Sequence, residues 1–393
     1  MRPKTIVVLT FLLFSISSGH AATQKVLYAF TGGLDGKTPY AGVIFDPAGN
    51  LYGVTEAGGL YGKGTVFQLT PSVGTWTETV LYNFTGGLDG NLPIGGLAID
   101  EGGNLYGTTA DGGDPVSRCG TVFKLSPSNS GWTLTVLHAF TGGTDGCSPA
   151  ASLLYNTGAL SGTTVHGGSS NQGTAFSLPT SGGSDFNAAF SLNNGKHPWG
   201  GINSWRYGTT YEGGKYGTGN VYEWTYGHHL AVKHVFSPTS AAGHYPLGDL
   251  LNENQSGVSK MYGTTSVGGA GGRGAVYRLT ESQTTYDVWY TSVLHSFSGP
   301  DGDSPGAGLV MDPAGSLYGT TTFGGADPGL AGTVFKLTPG LTNKWTHTLL
   351  YSFTGGTDGG QIYSGVILDS AGNLYGTAIS GGSGNGVVYE VTP

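Results

Sequence analysis

Gly308-Leu309-Val310-Met311-Asp312-Pro313-Ala314-Gly315-Ser316-Leu317-Tyr318-Gly319-Thr320-Thr321 holds two short β-forming runs around a reversal. Leu, Val, Tyr and Thr favour a pleated, half-buried surface. Asp-Pro followed by Ala-Gly supplies the fixed and the positive backbone torsions of a tight turn. The segment predicts a β-hairpin. After a Gly-rich loop come Gly332-Thr333-Val334-Phe335-Lys336-Leu337 and, beyond a longer turn, Leu349-Leu350-Tyr351-Ser352-Phe353, two further strands. No helical period appears in or around the unit.

The unit recurs. Leu51-Tyr52-Gly53-Val54-Thr55 returns with its glycine at Gly107, Gly162, Gly208, Gly263, Gly319 and Gly376, at spacings of 46 to 57 residues. Seven copies of four antiparallel strands predict an all-β seven-bladed propeller, in which blades bury their faces against one another. The fourth-strand pattern also occurs alone at Val26-Leu27-Tyr28-Ala29-Phe30, whereas the last copy stops after its third strand. A strand over residues 26–30 therefore completes the last blade and closes the ring, leaving no unpaired edge. The fourth copy runs from strand to strand with almost no turn at residues 201–207, so an irregular blade is expected there.

Composition agrees. Of 393 residues 74 are Gly, 18 are Pro and only 10% are charged, while aromatic residues reach 11%. Too few charges are present to solvate a disordered coil. A net charge of −8 with thinly spread bases leaves no stripe to neutralise phosphates, so nucleic acid is excluded as a partner. Arg2 and Lys4, the apolar run at residues 6–14 and the small residues up to Ala21 predict a secretory signal over residues 1–21. The run is too short to span a bilayer. One propeller domain is expected over residues 22–393, monomeric, secreted or periplasmic, with no transmembrane segment.

Gly-Asn-Leu-Tyr-Gly-Thr-Thr, the following Gly-Gly, Gly-Thr-Val-Phe-Lys-Leu-Thr-Pro and Val-Leu-Tyr-Ser-Phe-Thr-Gly-Gly resemble the GloVer-type (choice-of-anchor) tandem repeats of exported bacterial proteins. The resemblance covers nearly all of the chain beyond residue 21 and implies a propeller-like extracellular repeat protein with no generally established ligand. Members of that family carry C-terminal surface anchors. No apolar tail or sorting motif follows the last strand here, so no anchor is expected.

With the first strand innermost, the loops after strands two and four share one face. Their glycines recur while other side chains vary, the arrangement in which binding sites are built. Before the Gly-Gly doublets stand Ala57, Asp111, His166, Glu212, Val267, Phe323 and Ser380. Asp111, His166 and Glu212, in consecutive blades, are the candidate catalytic groups if the protein is an enzyme. Two carboxylates could cleave a glycosidic bond. Alternatively, His166 or Tyr211 could take a proton beside a uronate carboxylate that Arg118 or Arg206 neutralises. Tyr211, Trp199, His197, Arg118, Tyr40 and Tyr363 are the candidate ligand-binding residues, the aromatic rings suiting the apolar faces of sugars.

Asp35, Asp89, Asp145, Asp301 and Asp358 each precede Gly and read as turn residues, one carboxylate per loop being too few for calcium. No metal and no cofactor is expected. Cys119 and Cys147 fall on the same face in neighbouring blades and are expected to form a disulfide. The expected function is binding of an extracellular glycan. A polysaccharide lyase or glycoside hydrolase on the same face is the alternative, and a platform for a cell-surface protein the third reading.

Overall fold

The computed structural model describes residues 21–182, 185–189, 194–225, 229–255, 257–285, 287–326, 331–342 and 344–393. The predicted signal, up to residue 20, lies outside them. The strands form seven antiparallel sheets, six of four strands and one of three, and no helix occurs among the described residues. The sixth sheet shows the pattern, with Val310–Met311 innermost, then Leu317–Thr321, Thr333–Pro339 and Trp345–Ser352. The fourth has only Tyr207–Thr210, Asn220–Trp224 and Leu230–Val235. There the Asn203 side chain accepts the N–H groups of Trp205 and Tyr207, a side-chain-closed turn in place of the inner strand.

The ring closes as the sequence predicts. Thr23–Ala29 lies antiparallel to Val387–Thr392, in register from Thr23 opposite Thr392 to Ala29 opposite Val387, so the closing strand starts three residues before residue 26. The last blade is built from both ends of the chain.

The recurrent glycine has a steric reason. In each blade it stands opposite an aromatic residue of the third strand, as Gly53 opposite Phe67 and Gly319 opposite Phe335. A Cβ on Gly53 would lie 2.5 Å from the Phe67 ring, and one on Gly319 would lie 2.7 Å from both Phe335 and Leu309. Phe67, Phe123, Phe176, Tyr222, Tyr277, Phe335 and Tyr389 are all fully buried across their glycines.

These rings also join the blades. In every blade where it is described, the phenylalanine that closes the fourth strand meets the third-strand ring of the next blade edge-to-face, with centroids 5.1 Å apart for Phe30–Phe67, 5.3 Å for Phe84–Phe123 and 4.9 Å for Phe353–Tyr389. Such pairs add about 0.5–1.5 kcal/mol each beyond the area they bury. Nearer the axis, second-strand threonines donate to a backbone carbonyl of the next blade. Thr209 reaches Gly248, Thr264 reaches Ala307, Thr320 reaches Ser364, and Thr377 reaches Ala41 across the closure.

Outward, the turns hold their own polar groups. Asp46 accepts the N–H groups of Ala48 and Asn50 and the Tyr52 hydroxyl, a pattern repeated at Asp369. The Asp-Gly carboxylates behave as turn residues too: Asp89 accepts from the backbone and hydroxyl of Thr85 and from the Tyr82 hydroxyl.

Two tests follow. Gly319→Ala forces a methyl into the Phe335 ring and should lower stability by about 1–3 kcal/mol in urea unfolding, with part recovered when Phe335→Leu is added. His234, on the fourth strand of blade four, is held neutral by burial, its pKa pushed down to about 4 from the usual 6.5. The unfolded chain then binds the extra proton first, so stability is unaffected above pH 6.5 and falls as pH drops from 6.5 towards 4. His234→Tyr, the residue at that position in blades one and six, should reduce the fall in melting temperature across that window.

Candidate functional site

The face carrying the loops after strands two and four is organised by a backbone device repeated in every blade. Before the first strand stands a residue in the left-handed region, followed by Pro in six blades and by Ile362 in the seventh. These residues are Thr38, Leu92, Ser148, His197, Tyr245, Ser304 and Gln361, with φ of 55–60°. A side chain at such φ costs on the order of 1 kcal/mol. Hydrogen bonds hold it. The His197 N–H donates to Gln172 of the preceding blade while its carbonyl accepts from Tyr211, and Ser304 likewise bridges Arg273 and Thr322. The bend brings the second to fourth residues beyond it to the axis, as Tyr40, Ala41 and Gly42 beyond Thr38.

Those residues wall an axial cavity of about 580 Å³, within the range of small-ligand sites. Its deeper wall is mostly small, with Gly42, Gly96, Ser152, Gly308 and Gly365 at equivalent positions. Its aromatic residues come in two groups. Tyr40 and Tyr363 stack at 4.8 Å with Phe323 edge-on to Tyr363, all from blades one, six and seven. Trp199 and Tyr211 come from blade four, across the ring. Trp199 and Phe323 keep 39% and 40% of their surface exposed, so these rings are available to a ligand and are not spent between blades. Tyr211 is backed by Tyr245, stacked at 4.9 Å.

One charged side chain lines the cavity. Asp249 occupies the position that is Gly or Ser in the other blades, and water reaches it from the cavity. The surrounding protein raises its pKa above the usual carboxylate range, partly offset by the Gly201 N–H it accepts. Sequence reading missed Asp249. Its signal is a carboxylate in a column of glycines, visible once the seven approaches to strand one are aligned.

The other candidates sit outside this lining and fall into two groups. Asp111 pairs with Arg118 at 2.8 Å and accepts from Asn91 at 2.9 Å; although burial opposes the charge, these donors hold its pKa below the usual range. His166 and His197 meet at 5.2 Å, and His197 lies 3.8 Å from Glu212, which is paired with Lys196 at 2.6 Å. Burial, and then His166, lower the His197 pKa. Among the described residues no hydrogen bond, ion pair or ring contact joins Asp111 to the histidine group. Arg206 stands at the far end of its strand, over the Trp224 ring and bonded to the Trp224 carbonyl.

Cys119 and Cys147 are disulfide-bonded. They join blades two and three where blades five and six carry the Arg273–Asp303 ion pair at 2.7 Å. The same seam position thus holds a covalent link or a charge pair.

Fold and cavity together define a seven-bladed propeller with an aromatic axial pocket. The family model of the Gloeobacter/Verrucomicrobia repeat matches residues 12–205 and 202–393, and the chain belongs to that repeat family. No functionally curated protein matches the sequence. Among solved structures, an oxidoreductase (glucose dehydrogenase) of Thermus thermophilus is similar at 13% identity and TM-score 0.48, over 94% of this chain and 100% of that one. An α-L-arabinanase of Penicillium chrysogenum, complexed with arabinobiose, is similar at 12% identity and TM-score 0.46, over 95% and 98%. An endosialidase of phage phi92 gives 10% identity and TM-score 0.45, over 94% and 68%. Likeness this distant carries no argument about activity.

The disulfide closes a loop with a sequence separation of 28, so the paired variant Cys119→Ser/Cys147→Ser should lose about 3 kcal/mol, read as a lower urea midpoint with a slope equal to or steeper than that of the parent.

Proposed function

We propose that the protein is exported and binds a glycan segment in the axial cavity, without transforming it. The observation that carries this reading is the pair of facing aromatic groups, Trp199 with Tyr211 and Tyr40 with Tyr363, around a small-walled pocket with a single carboxylate. Sugar rings present apolar C–H faces to aromatic rings and hydroxyl donors to a carboxylate, and this lining offers both. General acid–base cleavage of a glycosidic bond uses two carboxylates. The lining holds one, while Asp111 and Glu212 are bound to Arg118 and Lys196. The disulfide supports an oxidising compartment, and no helix among the described residues is long and apolar enough to cross a membrane.

The lone acid also sorts ligands. A uronate polymer would bring its carboxylates against Asp249, whereas neutral or amino sugars would not. Mature protein passed over immobilised neutral, amino-substituted and acidic polysaccharides should be retained by the first two classes and not by the third. Trp199→Ala and Asp249→Asn should each weaken retention by roughly tenfold or more. Release of shortened products that persists until Asp249 or His166 is replaced would establish an enzyme instead. Absence of both retention and products would favour a protein-binding platform.

A further inference from the structure

The outer seams between blades repeat a three-residue arrangement. Where the loop after a fourth strand carries an Asp-Gly carboxylate, the residue two before the strand's closing Phe faces it: the Tyr28 hydroxyl donates to Asp35, Tyr82 to Asp89 and Tyr351 to Asp358, at 3.0–3.1 Å. A third position comes from the next blade's fourth strand, opposite a buried leucine of its third strand. It is Glu78 opposite Leu69, Leu134 opposite Leu125, Thr291 opposite Leu279 and His347 opposite Leu337. Contacts confirm that the third position meets the first: Thr291 touches His234 at 3.2 Å, and His347 stacks on His295 with centroids 4.2 Å apart. Seam five–six alone among the described seams therefore assembles two imidazoles and a carboxylate.

That trio differs from the other seams in its donor set. His295 Nε2 lies 2.8 Å from Asp301 Oδ2, while the other oxygen of Asp301 accepts the Ser298 N–H and hydroxyl. Nε2 of His347 is buried and has no hydrogen-bond partner. In a seam otherwise filled by Tyr, Leu, Thr or Glu, an orphaned imidazole nitrogen beside a fixed His–Asp pair needs an explanation. One ligand atom from each of the three residues lies within 4.8 Å of the others. Bonds of about 2.0–2.1 Å to nitrogen and oxygen set ligand atoms roughly 3.3 Å apart, so binding draws the three atoms together and turns the two imidazoles, 12° from parallel in the free protein, until each ring plane contains the ion. The His295 and Asp301 side chains keep 20% and 24% of their surface exposed, which leaves a path from solvent.

We propose that His295, Asp301 and His347 bind one divalent transition-metal ion, which fastens blade five to blade six. The ion binds between His295 Nε2 and Asp301 Oδ2, and the neutral imidazole then carries its single proton on Nδ1, any further proton leaving to solvent. His347 Nε2 is the third ligand, and water completes the shell. Two imidazoles and one carboxylate suit zinc, nickel or copper and not calcium or magnesium. Phe297 and Phe335, each 5.9 Å from the His347 ring, wall the site on its core side.

Zinc is the probe. Metal-stripped protein titrated with zinc chloride by calorimetry should bind one ion per chain, and the ion should raise the melting temperature. The test variants come from the protein's own seams: H347L installs the leucine of blade two, and H295Y the tyrosine of blades one and six, so both fit the fold. Each should lose more than about tenfold in zinc affinity together with the thermal shift. H138Y, at the seam where His138 meets Asp145 at 3.3 Å, should leave the titration unchanged. Failure of the parent protein to bind zinc would overturn the proposal. So would zinc binding that survives both H347L and H295Y, which would put the ion elsewhere.

Discussion

An aromatic ring lying across a glycine is the contact on which the rest of this propeller depends. The ring reaches the depth of the second strand because nothing projects from the glycine, and from there it meets the phenylalanine ending the preceding blade's fourth strand. Packing within a blade and packing between blades thus use the same atoms. Displacing one ring disturbs both, since close-packed interiors leave no slack to absorb a methyl group. This also explains how a chain with so few long aliphatic runs forms a stable ring. Among the described residues, six of the seven blade junctions are closed by two rings in edge-to-face geometry, and the strands around them can be short.

With the blade faces committed to this packing, polar groups are confined to turns and seams, and nearly every acid there has work within the fold. Asp46 and Asp369 close hairpins, Asp35 and Asp89 hold the crossings between blades, and Asp111 and Glu212 face bases. A few positions break the pattern, Glu78 with its buried and unpartnered Oε1 among them. Asp249 faces the axial cavity with one backbone donor, and the seam of blades five and six has a buried nitrogen without a partner. A fold this repetitive makes departures informative, because the remaining blades show what the position holds when it serves structure alone.

The sequence carried the architecture because the repeat is written in residue types whose reasons are local: a glycine under a ring, Asp-Pro-Ala-Gly at a reversal, an aromatic-rich fourth strand. The spare strand at residues 26–30 was legible for the same reason, as was the irregular fourth blade. The candidate site was legible only in part. Tyr40, Trp199, Tyr211 and Tyr363 were found because large rings stand out beside Pro and Gly. The grouping of Asp111, His166 and Glu212 was read from equal spacing along the chain. Equal spacing fixes height on the ring, but which neighbours meet depends on side-chain reach, and Arg118 and Lys196 take two of the three. Asp249 was hidden because one acid among 24 carries no periodic signal of its own. The His347 seam was hidden because its partners come from two blades and only register brings them together.

The pairing of Thr23–Ala29 with Val387–Thr392 sets an order of assembly. Blades one to six contain only contacts within and between neighbours, so they can form as the chain is synthesised. The seventh cannot: its outer strand arrives first and its other three last. Through most of synthesis the first strand has an open hydrogen-bonding edge and no partner, and the growing arc exposes the apolar faces of its two end blades. Closure is thus the step of longest sequence separation, and the interval before it is when the chain is most prone to pair with another copy of itself.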